Sequence, residues 1–246
     1  MALYSSDDIF IVTGASSGIG KALALKLNKE GASVIGIGRS IEKLENVRQE
    51  SEYPEFFHVE QRDLAVDVDN LPQYITSLKV KYGKFKGLAC VAGEANIATT
   101  QMLNQQLIEK IFLINYTAPM LLTKGFIDKR NNIGAGSSIL YIASCAGVQP
   151  DKGLVVYGAS KAALINSAIS ISKELAGRKI RCNCISPAWV NTPMYTQQKE
   201  NYGLDLSNYA LGLGAADDVA ALGVFLLSDA AGWISGENYT MGTLKC

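Results

Sequence analysis

The sequence predicts an α/β fold: a doubly wound, parallel, seven-stranded sheet with helices on both faces. Three observations predict it. Short apolar, β-branched runs alternate with helical patterns along the 246 residues, and runs of that kind mark strands buried on both sides. No Pro/Ser-rich linker, internal repeat or low-complexity tract interrupts the alternation, so residues 1–246 read as one domain. The first strand also meets a glycine-rich turn that opens directly onto a helix.

Taken in order, Ile9 to Thr13 (IFIVT) is the first strand. Ile19, Leu23 and Leu27 then recur every four residues, away from Lys21, Lys26 and Lys29, and Gly31 supplies a left-handed helix stop. Ser33 to Gly38 reads as the second strand, Ile41 to Glu50 as a helix, Glu55 to Val59 as the third strand, and Val68 to Tyr82 as a helix. Gly87 to Val91 is the fourth strand, followed by one long helical stretch from about Gln101 to Asp128. Ser137 to Ala143, Tyr157 to Ala176 and Lys179 to Ile185 give strand, helix and strand. A helix over Ala216 to Leu227 and a strand over Asn238 to Met241 complete the pattern. In such a sheet ligands bind beyond the carboxyl ends of the strands, at the switch in strand order.

Composition narrows the functional classes. Lys+Arg number 23 against 23 Asp+Glu, a balance without the basic face that nucleic acid or an anionic bilayer requires. Neither is expected as a partner. The longest charge-free stretch, Asn131 to Pro150, is broken by Gly, Ser, Asn and Gln and falls short of the roughly 20 apolar residues of a membrane span. The start MALYSSDDIF carries two aspartates where a secretory signal places a basic patch and an apolar segment, so a cytoplasmic location is expected. The five cysteines, at 90, 145, 182, 184 and 246, lack Cys-x-x-Cys spacing, so no metal site is expected and the thiols read as free. His58 is the single histidine, through which any His-based mechanism would run.

The turn Thr13 to Gly20 (TGASSGIG) supplies a candidate phosphate cradle in Gly14, Ser16, Ser17, Gly18, Ile19 and Gly20. Glycine permits close backbone approach, and a helix N-terminus presents N–H groups and a positive dipole to a pyrophosphate. The same residues fit the Gly-x-Ser-x-Gly elbow of hydrolases, but that chemistry needs a downstream histidine, and His58 falls too early in the chain. NAD sites place a carboxylate at the end of the second strand. Here that strand ends Gly38-Arg39-Ser40, so Arg39 can grip a 2′-phosphate and Ser40 can add a hydroxyl donor. The expected cofactor is NADPH.

Tyr157 and Lys161 (YGASK) stand four residues apart on one helix face. A free phenol titrates near pH 10, and the neighbouring ammonium, helped by a bound nicotinamide ring's positive charge, is expected to stabilise the phenolate, so that Tyr157 serves as general acid in reduction and base in oxidation. Ser144, at the end of the fifth strand, can polarise a substrate carbonyl. Asn115, inside an apolar helix, either plugs a kink or anchors a water chain to Lys161. Two helices are apolar all round, one through Ile111, Phe112, Leu113, Ile114, Met120, Leu121 and Leu122, the other through Ala162 to Ile171. A homodimer or homotetramer joined through them is expected.

Together these motifs resemble the short-chain dehydrogenase/reductase family, from TGASSGIG through Asp63-Leu64, Ala92-Gly93, Asn115, Ser144 and YGASK to SPAWVNTP. The resemblance implies a Rossmann fold and a catalytic tetrad of Asn115, Ser144, Tyr157 and Lys161, with Lys161 also binding the nicotinamide ribose. It implies that Asp63 and Leu64 meet the adenine, that Ala92 and Gly93 border the cofactor, and that Pro187, Val190 and Thr192 hold the nicotinamide end. Three departures stand out: Cys90-Val91-Ala92-Gly93 where the family has Asn-Asn-Ala-Gly, Pro187-Ala188 for Pro-Gly, and Met241-Gly242-Thr243 for Asp-Gly-Gly. The first removes side-chain amides that brace the sheet near the cofactor.

The expected activity is reduction of a ketone or aldehyde. Ser144, Cys145, Trp189 and Met194 are expected to face the substrate, under a mobile lid over 189–213 that carries Tyr195, Tyr202 and Tyr209. A 3-oxoacyl thioester, a sugar or polyol, and a xenobiotic carbonyl all remain open as substrates. The alternative is a nucleotide-binding regulatory or scaffolding protein that kept the fold and lost turnover.

Overall fold

The apolar runs of the sequence become strands because each must bury both faces, and helices on either side of one sheet provide that burial. A computed structural model describes residues 3–202 and 211–242. Its strands are β1 (Ile9–Thr13), β2 (Ser33–Gly38), β3 (Phe57–Gln61), β4 (Phe85–Cys90), β5 (Ser138–Ile142), β6 (Arg181–Pro187) and β7 (Asn238–Met241). They form one seven-stranded sheet in the order β3-β2-β1-β4-β5-β6-β7, every pair parallel. The order reverses between β1 and β4, which opens a crevice at their carboxyl ends.

The helices are α1 (Gly18–Lys29), α2 (Ile41–Glu50), α3 (Leu71–Tyr82), α4 (Gln105–Phe112), α5 (Ala118–Phe126), α6 (Val155–Leu175), α7 (Pro193–Tyr202) and α8 (Ala216–Leu227). Strand side chains alternate between two cores. Phe10 and Val12 pack with Leu23, Leu27, Val224 and Leu227 on the α1/α8 face. Ile11, Leu88 and Tyr141 pack with Ile75, Leu122, Phe126 and Leu164 on the α3/α5/α6 face.

Several elements depart from the sequence expectation. The third strand begins at Phe57 rather than Glu55, because Pro54–Phe56 wind into a 3-10 turn behind a proline that has no N–H to give a strand. The stretch read as one helix from Gln101 to Asp128 is a 3-10 turn (Thr100–Met102), α4, a π-helical turn (Leu113–Thr117) and α5. Pro119 lies at the start of α5 and cannot donate to the carbonyl four residues earlier, so the wide turn absorbs a break that a uniform α-helix could not. The region read as a lid contains the ordered helix α7, and Tyr209 lies outside the described residues.

Among the described residues no helix is long and apolar enough to cross a membrane, and no group of three or more His, Cys, Asp or Glu is placed to hold a metal ion. Cys90, Cys145, Cys182 and Cys184 are free thiols; Cys246 lies outside the described residues.

Candidate active site

The carboxyl ends of β1, β2, β4, β5 and β6 border a cleft of about 770 Å³, large enough for a dinucleotide half and a small substrate. Its floor at one end is the turn after β1. Gly14 adopts φ +70°, and a Cβ there would lie 3.0 Å from the backbone of Ala92; at Gly20 a Cβ would collide with the Gly14 carbonyl. Only glycine lets α1 start this close to β1 and β4. Ser17, the N-cap of α1, makes no side-chain cap, and the first turn carries no acidic residue. The N–H groups of that turn thus face the cleft with a positive dipole and no anion of their own.

The remaining rim follows the sequence expectation at most positions. Ser16, Gly18, Ile19, Arg39, Asp63, Leu64, Ala92, Gly93, Pro187, Val190 and Thr192 line the cleft, together with Ser144, Cys145, Tyr157, Lys161, Trp189 and Met194. Two candidates lie outside this lining. Ser40 caps α2, its hydroxyl accepting from Lys43 N at 3.3 Å, which holds the side chain at the helix start and leaves its proton free. Asn115 is 1% exposed, within the π-helical turn.

Asn115 satisfies every group of its amide locally. Its Oδ1 accepts from Glu94 N at 2.9 Å, and its Nδ2 donates to Glu94 O at 2.9 Å and to Ser160 Oγ at 3.1 Å. Ser160 in turn donates to Tyr157 O at 2.7 Å. The amide therefore joins the loop after β4 to the first turn of α6, which answers the polar-group penalty that a buried asparagine would otherwise impose.

Ser144 follows β5, and its Oγ accepts from Ala146 N at 3.2 Å, which leaves its proton free. Burial pushes the Tyr157 phenol up to about 12, against a smaller opposing pull from the neighbouring Ser144 hydroxyl. Lys161 is 4% exposed, donates to Ile142 O at 2.9 Å, and stands 5.8 Å from the centre of the Tyr157 ring. Burial depresses its pKa to about 8. The sequence reading had the ammonium lowering the phenol's pKa. In the chain by itself the ammonium donates to a main-chain carbonyl and desolvation sets both shifts; the lowering expected beside a nicotinamide ring's positive charge belongs to the complex.

His58 has no part in the cleft. It lies in β3, stacks on Tyr82 with ring centres 4.7 Å apart, and burial, aided by Lys81, lowers its pKa. No nucleophile–histidine pair forms at the glycine turn.

Sequence reasoning missed three residues. Thr13 Oγ1 accepts from Val91 N at 2.9 Å and from Ala92 N at 3.0 Å, so one hydroxyl braces β1 to the end of β4 where the family asparagines are absent. Its signal was a lone hydroxyl closing an apolar strand. Ser160 links Asn115 to α6, and Glu94 reaches Arg39 and Lys110. The helix α7 was also missed; it places Tyr195 against Trp189, ring centres 5.9 Å apart, over the substrate side. At the Ala188 departure, Ala188 N donates to Met241 O at 2.8 Å, and Gly242 (φ +80°) leaves room for the extra methyl.

A glycine turn at a sheet's switch point, with serine, tyrosine and lysine gathered over it, defines a dinucleotide-binding oxidoreductase scaffold. The short chain dehydrogenase model matches residues 8–203, and the chain belongs to that family. It is 32% identical over 238 residues to tropinone reductase-like 3 of Erythroxylum coca, covering 93% of this chain and 89% of that protein. It is 30% identical over 241 residues to the 3-oxoacyl-[acyl-carrier-protein] reductase FabG of Thermotoga maritima, covering 93% and 94%. Among solved structures, a short chain dehydrogenase from Burkholderia cenocepacia in complex with NADP superposes with TM-score 0.83 at 26% identity, covering 96% of each chain.

The brace at Thr13 is testable by itself. Thr13→Val keeps the shape and removes the acceptor, so urea unfolding should show a loss of about 1–3 kcal/mol for the stranded N–H groups, while Thr13→Ser retains most of the stability. An equal loss in both variants would assign the effect to the methyl group's packing instead.

Proposed function

We propose that the chain is an NADPH-dependent carbonyl reductase acting on a ketone or aldehyde, with Ser144, Tyr157 and Lys161 in direct roles and Asn115 as the positioning residue. The observation that carries this reading is that Ser144, Tyr157 and Lys161 line one cleft, with Lys161 one helical turn beyond Tyr157 on α6 and its Nζ 5.8 Å from the centre of the Tyr157 ring. The residues present fit the cofactor: the uncapped start of α1 suits a pyrophosphate, Gly14 and Gly20 let that start sit tightly against the ends of β1 and β4 at the edge of the cleft, and Arg39 with no carboxylate at the end of β2 suits a 2′-phosphate. The NADP held by the Burkholderia relative supports the assignment.

When bound, the nicotinamide supplies the hydride that adds to the carbonyl carbon. The substrate oxygen lies between Ser144 and Tyr157; Ser144 donates a hydrogen bond to it as charge develops, and Tyr157 transfers its phenolic proton. A phenol at about pH 12 is fully protonated at neutral pH, so it is loaded as an acid. The Lys161 ammonium, held at the Ile142 carbonyl, supplies positive charge beneath the forming phenolate.

A panel of ketones and aldehydes followed by NADPH absorbance tests this reading. At least one compound should be turned over, and Tyr157→Phe should lower kcat by about 10²–10⁴-fold. If NADPH binds while no carbonyl is reduced, the non-catalytic binding protein is the correct description.

The pH profile follows from the two side chains. Lys161 is depressed to about 8, so its ammonium is present below that pH and lost as pH rises through it. Reduction should therefore fall through about pH 8, while Tyr157 contributes no inflection there. A rate constant that stays flat through this region removes the role given to Lys161.

The chain is further proposed to self-associate as a homodimer or homotetramer. Ile108 of α4 and Val155 and Ile169 of α6 remain exposed at 40%, 49% and 38%. Light scattering at micromolar concentration should give a multiple of the 26.4 kDa chain mass; a monomer alone rules it out.

A further inference from the structure

The loop after β4 places a carboxylate in the cleft, opposite the residue expected to grip the 2′-phosphate. Glu94 Oε1 lies 3.5 Å from Arg39 Nη1, and Glu94 Oε2 lies 2.8 Å from Lys110 Nζ on α4. All three residues line the cleft. The backbone of Glu94 has little freedom, because the Asn115 amide takes both its N–H and its carbonyl at 2.9 Å. The side chain thus projects from a clamped peptide toward the end of β2, and it is only 30% exposed while Arg39 is 70% exposed.

Two anions then compete for one guanidinium. A phosphate seated on Arg39 comes within reach of the Glu94 carboxylate, so nucleotide binding must draw Arg39 off that carboxylate and bear the remaining repulsion. Lys110 relieves the second cost, because its shorter contact keeps the carboxylate neutralised when Arg39 turns to the phosphate. We propose that Glu94 is a specificity-determining residue for the cofactor: its carboxylate limits the preference for nucleotides that carry a 2′-phosphate, and Lys110 acts as the counter-ion that sets how strong the limit is. This rests on the assignment of Arg39 to the 2′-phosphate. It concerns binding of the adenosine half, with no requirement for turnover.

Calorimetric titration with adenosine 2′,5′-bisphosphate and with adenosine 5′-monophosphate separates the cases, because the two probes differ only in the 2′-phosphate. Native protein should bind the bisphosphate more tightly. Glu94→Gln, which keeps the shape and removes the charge, should tighten the bisphosphate by about threefold to fivefold, the scale of an exposed ion pair, and leave the monophosphate unchanged. Lys110→Met should weaken the bisphosphate, and that weakening should vanish in the Glu94→Gln background. The gain from Glu94→Gln should also shrink at molar salt, where exposed charges are screened.

If Glu94→Gln alters both nucleotides alike, or neither, the inference is overturned while the assignment of Arg39 stands. It is also overturned if Lys110→Met acts equally in both backgrounds, because Lys110 would then meet the phosphate directly. If native protein binds the two nucleotides equally, the 2′-phosphate assignment itself fails and takes the inference with it.

Discussion

A buried ammonium constrains the cleft more than any other group. Lys161 is nearly inaccessible, and its ammonium donates to the Ile142 carbonyl at the end of β5. Such a charge is tolerable only where the chain supplies a polar contact and room for its remaining donors. The loop after β4 supplies the room: a Cβ on Gly93 would stand 3.4 Å from Lys161 Nζ and 2.9 Å from Asn115 Oδ1. Asn115, Ser160 and the peptide of Glu94 then hold that loop against α6. The π-helical turn exists at the point where this network needs a side chain directed out of the helix, and π-bulges commonly mark such positions.

Much of this was legible from residue pattern. β1, β2, α2, α8 and β7 fall on the stretches expected of them, because each is a strong apolar run or amphipathic period closed by glycine, serine or a change of pattern. The seven-stranded parallel sheet follows from their alternation. What resisted reading was non-local. The break in the long helix depends on a partnership between Asn115 and Glu94, 21 residues apart; the asparagine in an apolar helix and Pro119 were its local signs, but neither names the partner. α7 buries little beyond Tyr195 and Gln198, too few apolar positions for a helical period to register.

The side-chain positions divide in the same way. Glycines, serine, tyrosine and lysine of the cleft could be picked out because their spacing is tied to a strand end or a helix turn. Thr13 and Glu94 could not, since each matters through residues brought from elsewhere: Val91 and Ala92 for one, Arg39 and Lys110 for the other. The electrostatics likewise depend on depth rather than spacing. Four residues of separation gave the right neighbours in Tyr157 and Lys161, but their pKa directions are set by how deeply each is buried. The departures at Val91 and Ala188 are absorbed by a threonine hydroxyl and a glycine at φ +80°.

The segment that carries α7 leaves and rejoins the sheet region at nearly one point. Asn191 N donates to Gly214 O at 2.8 Å and Gly214 N donates to Trp189 O at 3.0 Å, so its entry and exit are tied as a single parallel bridge. An excursion with adjacent feet can be exchanged or resized at small entropic cost while the strands beneath keep their register. The scaffold therefore separates two parts along its chain: a loom of strands whose ends border the cleft, and a cassette with adjoining feet that can be exchanged without disturbing the loom.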